Sequence, residues 1–231
     1  MEKKMKVSGM RKIIAERMSE SWKVSPRVAY TVSVDMSHTV DLLKRLNTGN
    51  ADKARKITIN HVLMKICAQV IVKFELFNAS FQNEEIVIHD QVNIGLAVAL
   101  EKGLIVPNIK DVGNKDLHTI AVETNDAVLR TQKNKITMDD VTGGTFTITN
   151  LGMMGIESFS PIINQPEVAI LGVTAMKDTP VVIGGEIVIR PIMNLNLVAD
   201  HRVIDGAYAA NFLRDVKESM QSVEFPQQGD Q

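Results

Sequence analysis

The stretch Ile192-Met193-Asn194-Leu195-Asn196-Leu197-Val198-Ala199-Asp200-His201-Arg202-Val203-Ile204-Asp205-Gly206 joins two kinds of pattern. Ile192 to Ala199 reads as a strand. From Gly206 onward Ala209, Phe212, Leu213, Val216 and Met220 recur at helical spacing, so a core-packed helix follows. A strand that runs through a short polar join into a helix belongs to an α/β domain. The join carries a histidine between two carboxylates, at the kind of position where active-site side chains are often placed.

Upstream, Val181 to Ile183 and Glu186 to Ile189 flank Gly184-Gly185, a two-residue hairpin signal. Gly143-Gly144 launches a strand over Thr145 to Thr149, and Lys115 to Lys133 reads as a helix. Val92, Ile94, Leu96, Val98 and Leu100 alternate with Asn93, Gly95, Ala97 and Ala99, which predicts one strand with a bulky face and an unusually small one. Between Asn60 and Phe74 the only polar positions after His61 are Lys65, Gln69 and Lys73, a narrow wet stripe on an otherwise apolar helix. That helix is expected at the centre, with Cys67 on its apolar side. Nearer the start, residues 9–22 read as an amphipathic helix ended by Pro26, Val28 to Asp35 as a strand, Ser37 to Leu46 as a helix and Asn47 to Lys56 as a loop. Helices and strands alternate, no repeat appears and no linker divides the chain. The expectation is one α/β domain over residues 1–231, built on a mixed sheet. The ends, up to Val7 and beyond Ser222, lack periodicity.

With 231 residues and 45% hydrophobic content the chain can build a proper core. Lys+Arg 26 against Asp+Glu 27 leaves a formal net charge of −1, so no global field points to nucleic acid or to an acidic membrane surface. The single cysteine forms no internal disulfide, no signal-peptide core follows Met1, and no apolar run is long enough for a bilayer. A reducing, cytoplasmic setting is expected.

The chain has no phosphate-binding loop, no G-x-G-x-x-G, no G-x-S-x-G, no C-x-x-C and no H-E-x-x-H. His38, His61, His89 and His118 lack ligand spacing and read as surface or helix-end residues, so no metal site is expected. His201 can take a proton at neutral pH, because an imidazole titrates near 6.5. Asp205 can fix its surroundings or serve only as the cap of the last helix. Thr149 ends its strand with the hydroxyl on the face opposite Phe146 and Ile148, where it reads either as an oxyanion donor or as a threonine suited to a strand.

Six segments, in order, carry a resemblance. They are Gly9 to Met18 (GMRKIIAERM), Asn93 to Ala97 (NIGLA), Gly103 to Pro107 (GLIVP), Gly143 to Gly152 (GGTFTITNLG), Pro166 to Gly172 (PEVAILG) and Asp200 to Ala207 (DHRVIDGA). Together they resemble the dihydrolipoamide acyltransferase (E2) family of 2-oxo acid dehydrogenase complexes. The resemblance implies a fold like that of chloramphenicol acetyltransferase, a two-layer α/β domain whose mixed β-sheet is covered by helices. It implies acyl transfer between dihydrolipoamide and coenzyme A in a channel between neighbouring subunits of a homotrimer. In that reading His201 deprotonates the CoA thiol, Thr149 of the adjacent subunit donates to the oxyanion, and Asp205 holds the local framework. Thr58, Asn150 and Thr174 fall at the CoA end, and the small face Gly95, Ala97 and Ala99 admits backbone or ligand.

By the same resemblance the lipoyl group sits on a separate domain. That domain and the one that docks the E1 and E3 enzymes are expected upstream of a catalytic core, which makes this chain an excised core or a fragment. Two departures stand out: Thr149 replaces the family's frequent serine, and the tail, with Phe225, is not the leucine-rich segment that joins trimers into larger cores. Two rivals are a free-standing acyltransferase using a hydroxyl or amine acceptor, and a non-catalytic scaffold subunit. The acyl group is open among acetyl, branched-chain, succinyl and acetoin-derived.

Overall fold

The computed structural model describes residues 2–49, 52, 55–101 and 103–223. In chain order the elements are α1 (Met10–Val24), β1 (Arg27–Asp35), α2 (Ser37–Asn47), α3 (Ile59–Ile71), β2 (Ala79–Gln82) and β3 (Glu85–Ile88). Then come β4 (Ile94–Leu96), β5 (Val98–Leu100), β6 (Gly103–Ile105), β7 (Asn108–Ile109), α4 (Leu117–Gln132) and α5 (Met138–Val141). The chain closes with β8 (Phe146–Asn150), β9 (Ala169–Ile183), β10 (Glu186–Asp200) and α6 (Gly206–Gln221). Six strands form the main sheet in the order β1-β10-β9-β8-β4-β7. Strand β8 runs parallel to β4 and β9, while β10 is antiparallel to β9 and β1. The sheet is therefore mixed, as expected.

One face of the sheet packs on helices. Phe146, Ile148, Leu171, Val173, Leu195 and Leu197 share a single buried core with Leu63 and Ile66 of α3 and Phe212 and Leu213 of α6. Aromatic rings anchor α6: Phe212 stacks on Phe77 at 3.9 Å between centroids, and Phe146 and Phe74 meet it edge-on. Fixing the first turns of α6 in this way fixes the position of the join before it. Helix α3 is central, as its sequence requires. Its stripe is not fully wet, because Lys65 Nζ donates to the carbonyls of Gly113 and Lys115 at 2.9 and 2.7 Å. Cys67 is fully buried, and burial pushes its thiol far above the ordinary range, so it behaves as a small hydrophobe.

The opposite face is covered by an irregular segment. Phe159 lies against Gly172, where an added Cβ would come within 2.9 Å of its ring, and Ile163 packs with Ile170 and Val198. Helix α1 lies over this segment, where Ser21 Oγ donates to the Ile163 carbonyl at 2.7 Å and Arg17 to the Gln165 main-chain carbonyl at 3.0 Å, and its Met10 and Ile14 side chains close on Gly103 of β6. Its expected apolar stripe of Met10, Ile13, Ile14 and Met18 is covered only in part, with Ile14 and Met18 half-buried and Ile13 59% exposed.

Two readings of strands change. The expected single strand Val92 to Leu100 is two, since β4 belongs to the main sheet and β5 pairs only with β6. The break falls where β7 gives way to Pro107, which accepts a bond from the Leu96 N–H and has no N–H to return. Within β4, Gly95 is the close-packed position expected of the small face, its missing Cβ replaced by Val106 and Asn108. Conversely, the hairpin arm and the strand Ile192 to Ala199 are one strand, β10, paired with an equally long β9 around Gly184-Gly185 at φ 61° and 88°. A bulge between Met193 and Leu195 interrupts their register. Phe225 lies outside the described residues.

Candidate functional site

Strand β10 delivers Asp200 into the interior and His201 to the surface. The buried Asp200 carboxylate accepts from Ser25 Oγ at 2.6 Å, from Arg202 Nη2 and Nε at 2.7 and 3.0 Å, and from the Arg202 backbone N–H at 3.0 Å. Burial alone would raise its pKa, but the donors from Arg202 and Ser25 outweigh it and hold the carboxyl below its ordinary value. The His201 backbone N–H donates to the Pro26 carbonyl at 2.8 Å, tying the join to the start of β1. The His201 ring itself has no hydrogen-bond partner among the described residues.

Asp205 stands at the N-cap of α6 and its side chain makes no cap bond. Of the two roles open to it, capping by the carboxylate is therefore set aside, and the group is exposed beside the join.

Thr149 lies near the other end of the sheet. It pairs with Gly172, and Gly172 with Asn196, which is five residues before His201 on β10. Two strand spacings and five residue rises place Thr149 and His201 roughly 19 Å apart within one chain. The Thr149 hydroxyl, half-buried, has no hydrogen-bond partner among the described residues.

Thr58, Asn150 and Thr174 gather around this Thr149 end. Thr58 caps α3 in a reciprocal capping box, its N–H donating to His61 Nδ1 at 3.1 Å. Burial pushes His61 down to about 4, so the ring is neutral at pH 7 and carries its proton on Nε2. Asn150 donates to Asn60 Oδ1 at 2.7 Å and accepts from the Gly152 N–H at 2.8 Å, which locks the end of β8 to the first turn of α3. Gly152 sits against the Thr174 backbone. The buried Thr174 hydroxyl bridges the bulge, donating to the Asn194 carbonyl and accepting from its N–H, both at 3.0 Å. Asn60 is a site neighbour that the sequence did not reveal; nothing local marks a partner for residue 150 so far back in the chain.

Between the starts of β4, β8 and β9 lies a polar cavity of about 700 Å³ lined by Arg17, His89, Asn93, Asn108, Gln165 and Glu167 among others. Glu167 is 2% exposed, accepts from Asn164 Nδ2 at 2.9 Å and leaves Oε2 without a partner. Burial pushes its carboxyl up to about 7, against opposing hydrogen bonds from Thr147 and Asn164. The folded state therefore holds a proton that the unfolded state releases between pH 4.5 and about 7, and stability falls as pH rises through that window. The full loss is roughly 3 kcal/mol. Denaturant titrations of the wild type and Glu167→Gln at pH 5 and pH 8 should show a drop in the wild type that the variant lacks; parallel curves would contradict the assignment.

Among the described residues, no three His, Cys, Asp or Glu side chains are grouped to hold a metal, and no helix is long and apolar enough to cross a membrane.

Residues 1–226 match the family model for 2-oxoacid dehydrogenases acyltransferase (catalytic domain). The acetyltransferase component of the acetoin cleaving system of Bacillus subtilis (strain 168) is 40% identical over 212 residues, 91% of this chain and 53% of that protein. This chain spans about half the length of the curated relatives it matches. The Azotobacter vinelandii dihydrolipoamide acetyltransferase, in which a serine, a histidine and an asparagine were investigated for catalytic roles, superposes with TM-score 0.92 at 30% identity, covering 96% of this chain and 93% of that one. A cubic core of a pyruvate dehydrogenase multienzyme complex gives 0.92 at 31% identity over the same shares. Chloramphenicol acetyltransferase, at TM-score 0.56 and 13% identity over 96% of this chain and all of that one, shares the fold. By the family model and these relatives, the chain belongs to the acyltransferase (catalytic domain) family of the 2-oxoacid dehydrogenases.

Proposed function

We propose that this chain passes an acyl group between dihydrolipoamide and coenzyme A at a site shared by two copies. One observation carries the reading: His201 and Thr149 each present an unpartnered polar group, yet lie at opposite ends of one sheet, so only a second copy brings them together. The Azotobacter relative supports it. Its histidine follows the serine by 52 positions and precedes the asparagine by four, the intervals that separate Thr149, His201 and Asp205.

The His201 imidazole takes the proton from the CoA thiol. A free thiol with pKa about 8.5 is only a few per cent thiolate at pH 7, so a positioned base lowers a real barrier. The thiolate attacks the thioester carbonyl of the acyl-dihydrolipoyl group, and the oxyanion receives the Thr149 hydroxyl of the neighbouring copy. The C–S bond to lipoamide then breaks, and the imidazolium returns its proton to the departing sulfur. No acyl-enzyme forms. Asp205 stands exposed beside the join as part of its local framework and relays no proton. Thr58 and Asn150 line the CoA end, while Thr174 keeps the bulge that shapes it.

The copies associate as a homotrimer, in keeping with the relative's cubic core. The acyl group arrives on a lipoyl domain, and the E1 and E3 enzymes dock through segments beyond this domain. Acetyl is the acyl group favoured, since the relatives are acetyltransferases. Rates with acetyl-CoA and a panel of acceptors test the assignment: dihydrolipoamide should far outpace hydroxyls and amines, and preference for a hydroxyl or amine would overturn it.

A further inference from the structure

Among the described residues no hydrogen bond or ion pair orients the His201 ring, so its reach depends on the backbone that carries it. That backbone is clamped through Asp200, and the clamp extends away from the join. Ser25 Oγ donates to Asp200 Oδ2 at 2.6 Å and accepts from Gln165 Nε2 at 2.8 Å. A hydroxyl has one proton. Because the Gln165 amide occupies an acceptor lobe of Ser25 with its own N–H, the Ser25 proton is directed to Asp200. Ser25 is 4% and Asp200 1% exposed, so water does not compete for these bonds. The Gln165 backbone is itself held, its main-chain carbonyl accepting from the Arg17 guanidinium of α1 at 3.0 Å. A relay of ordered donors thus runs from α1 through the 163–166 segment to the residue that precedes the base.

We propose that Gln165 and Ser25 are positioning residues for His201, setting the distance from its imidazole to the reacting thiol without touching substrate. The inference rests on the assignment of His201 as the base. Displacing a catalytic group by about 1 Å can cost on the order of 10²-fold. Gln165→Met keeps the length of the side chain and removes the donor. Gln165→Glu keeps the shape and turns the donor into an acceptor, which sets two carboxylates competing for one serine proton. Ser25→Thr retains the hydroxyl.

Acyl-transfer kinetics on the assembled wild type, Gln165→Met, Gln165→Glu, Ser25→Ala, Ser25→Thr and His201→Ala decide the matter. The expected result is that Gln165→Met and Gln165→Glu lose roughly 10- to 100-fold in kcat with KM for both thiols within about twofold. Ser25→Thr should recover most of the turnover that Ser25→Ala loses. A merely structural role would instead lower the thermal midpoint or the assembled mass in proportion to activity, and that outcome overturns the inference. So does Gln165→Met at wild-type kcat. If Ser25→Ala fails to fold, the half-exposed Gln165 positions decide alone. The two claims separate cleanly: an active His201→Ala sinks the base assignment, whereas an inactive His201→Ala beside a fully active Gln165→Met sinks only the relay.

Discussion

Replacing His201 by alanine is expected to lower acyl-transfer turnover by about 10²–10⁴-fold, the range supplied by a positioned general base. Stability and assembled mass should not change. The ring is exposed and unbonded, whereas the structure around it is held by the Asp200 carboxylate with its Arg202 and Ser25 donors and by the His201 N–H on Pro26. Removing the ring therefore takes away chemistry and leaves the scaffold. Steady-state rates with acetyl-CoA and dihydrolipoamide, beside a thermal melt, check both halves. Full turnover in the variant would turn the account toward the scaffold subunit, which needs the fold and not the imidazole.

Thr149→Val should cost about 10²–10³-fold in kcat, the usual loss of one oxyanion donor. Valine preserves the β-branched outline and removes the hydroxyl, so strand β8 keeps its pairing with Gly172. Because that hydroxyl has no partner among the described residues, no buried bond is broken by its loss. Thr149→Ser keeps the donor and frees its rotamer, and should stay within a few-fold of wild type. A valine variant at wild-type turnover beside an impaired serine variant would show that the methyl, not the hydroxyl, is what the site requires.

Much of this arrangement is legible along the chain because the signals are local. The apolar run of α3, the Gly184-Gly185 turn, the facial pattern of α6 and the placement of His201 at a strand-to-helix join are each set within a dozen or so residues. Misreadings occur where distant segments decide. Whether Val92 to Leu100 is one strand depends on Pro107 across the ladder, and the continuity of β10 depends on a bulge stitched by Thr174 from β9. Asp205 sits where a cap residue should, and only its geometry shows the carboxylate unused. The relay from Gln165 through Ser25 joins residues about 140 positions apart and leaves no trace in periodicity. Nor does sequence pattern alone show that His201 and Thr149 are kept apart within one copy; that follows from the registers of three strands.

Mixing two inactive variants addresses the shared site most directly. His201→Ala and Thr149→Val chains, carrying different tags and assembled together, should form hybrids in which some boundaries join an intact His201 to an intact Thr149. With random assembly about a quarter of the boundaries are whole, and turnover should return to about a quarter of wild type. Hybrids confirmed by mass but as inactive as either parent would contradict a site completed across copies.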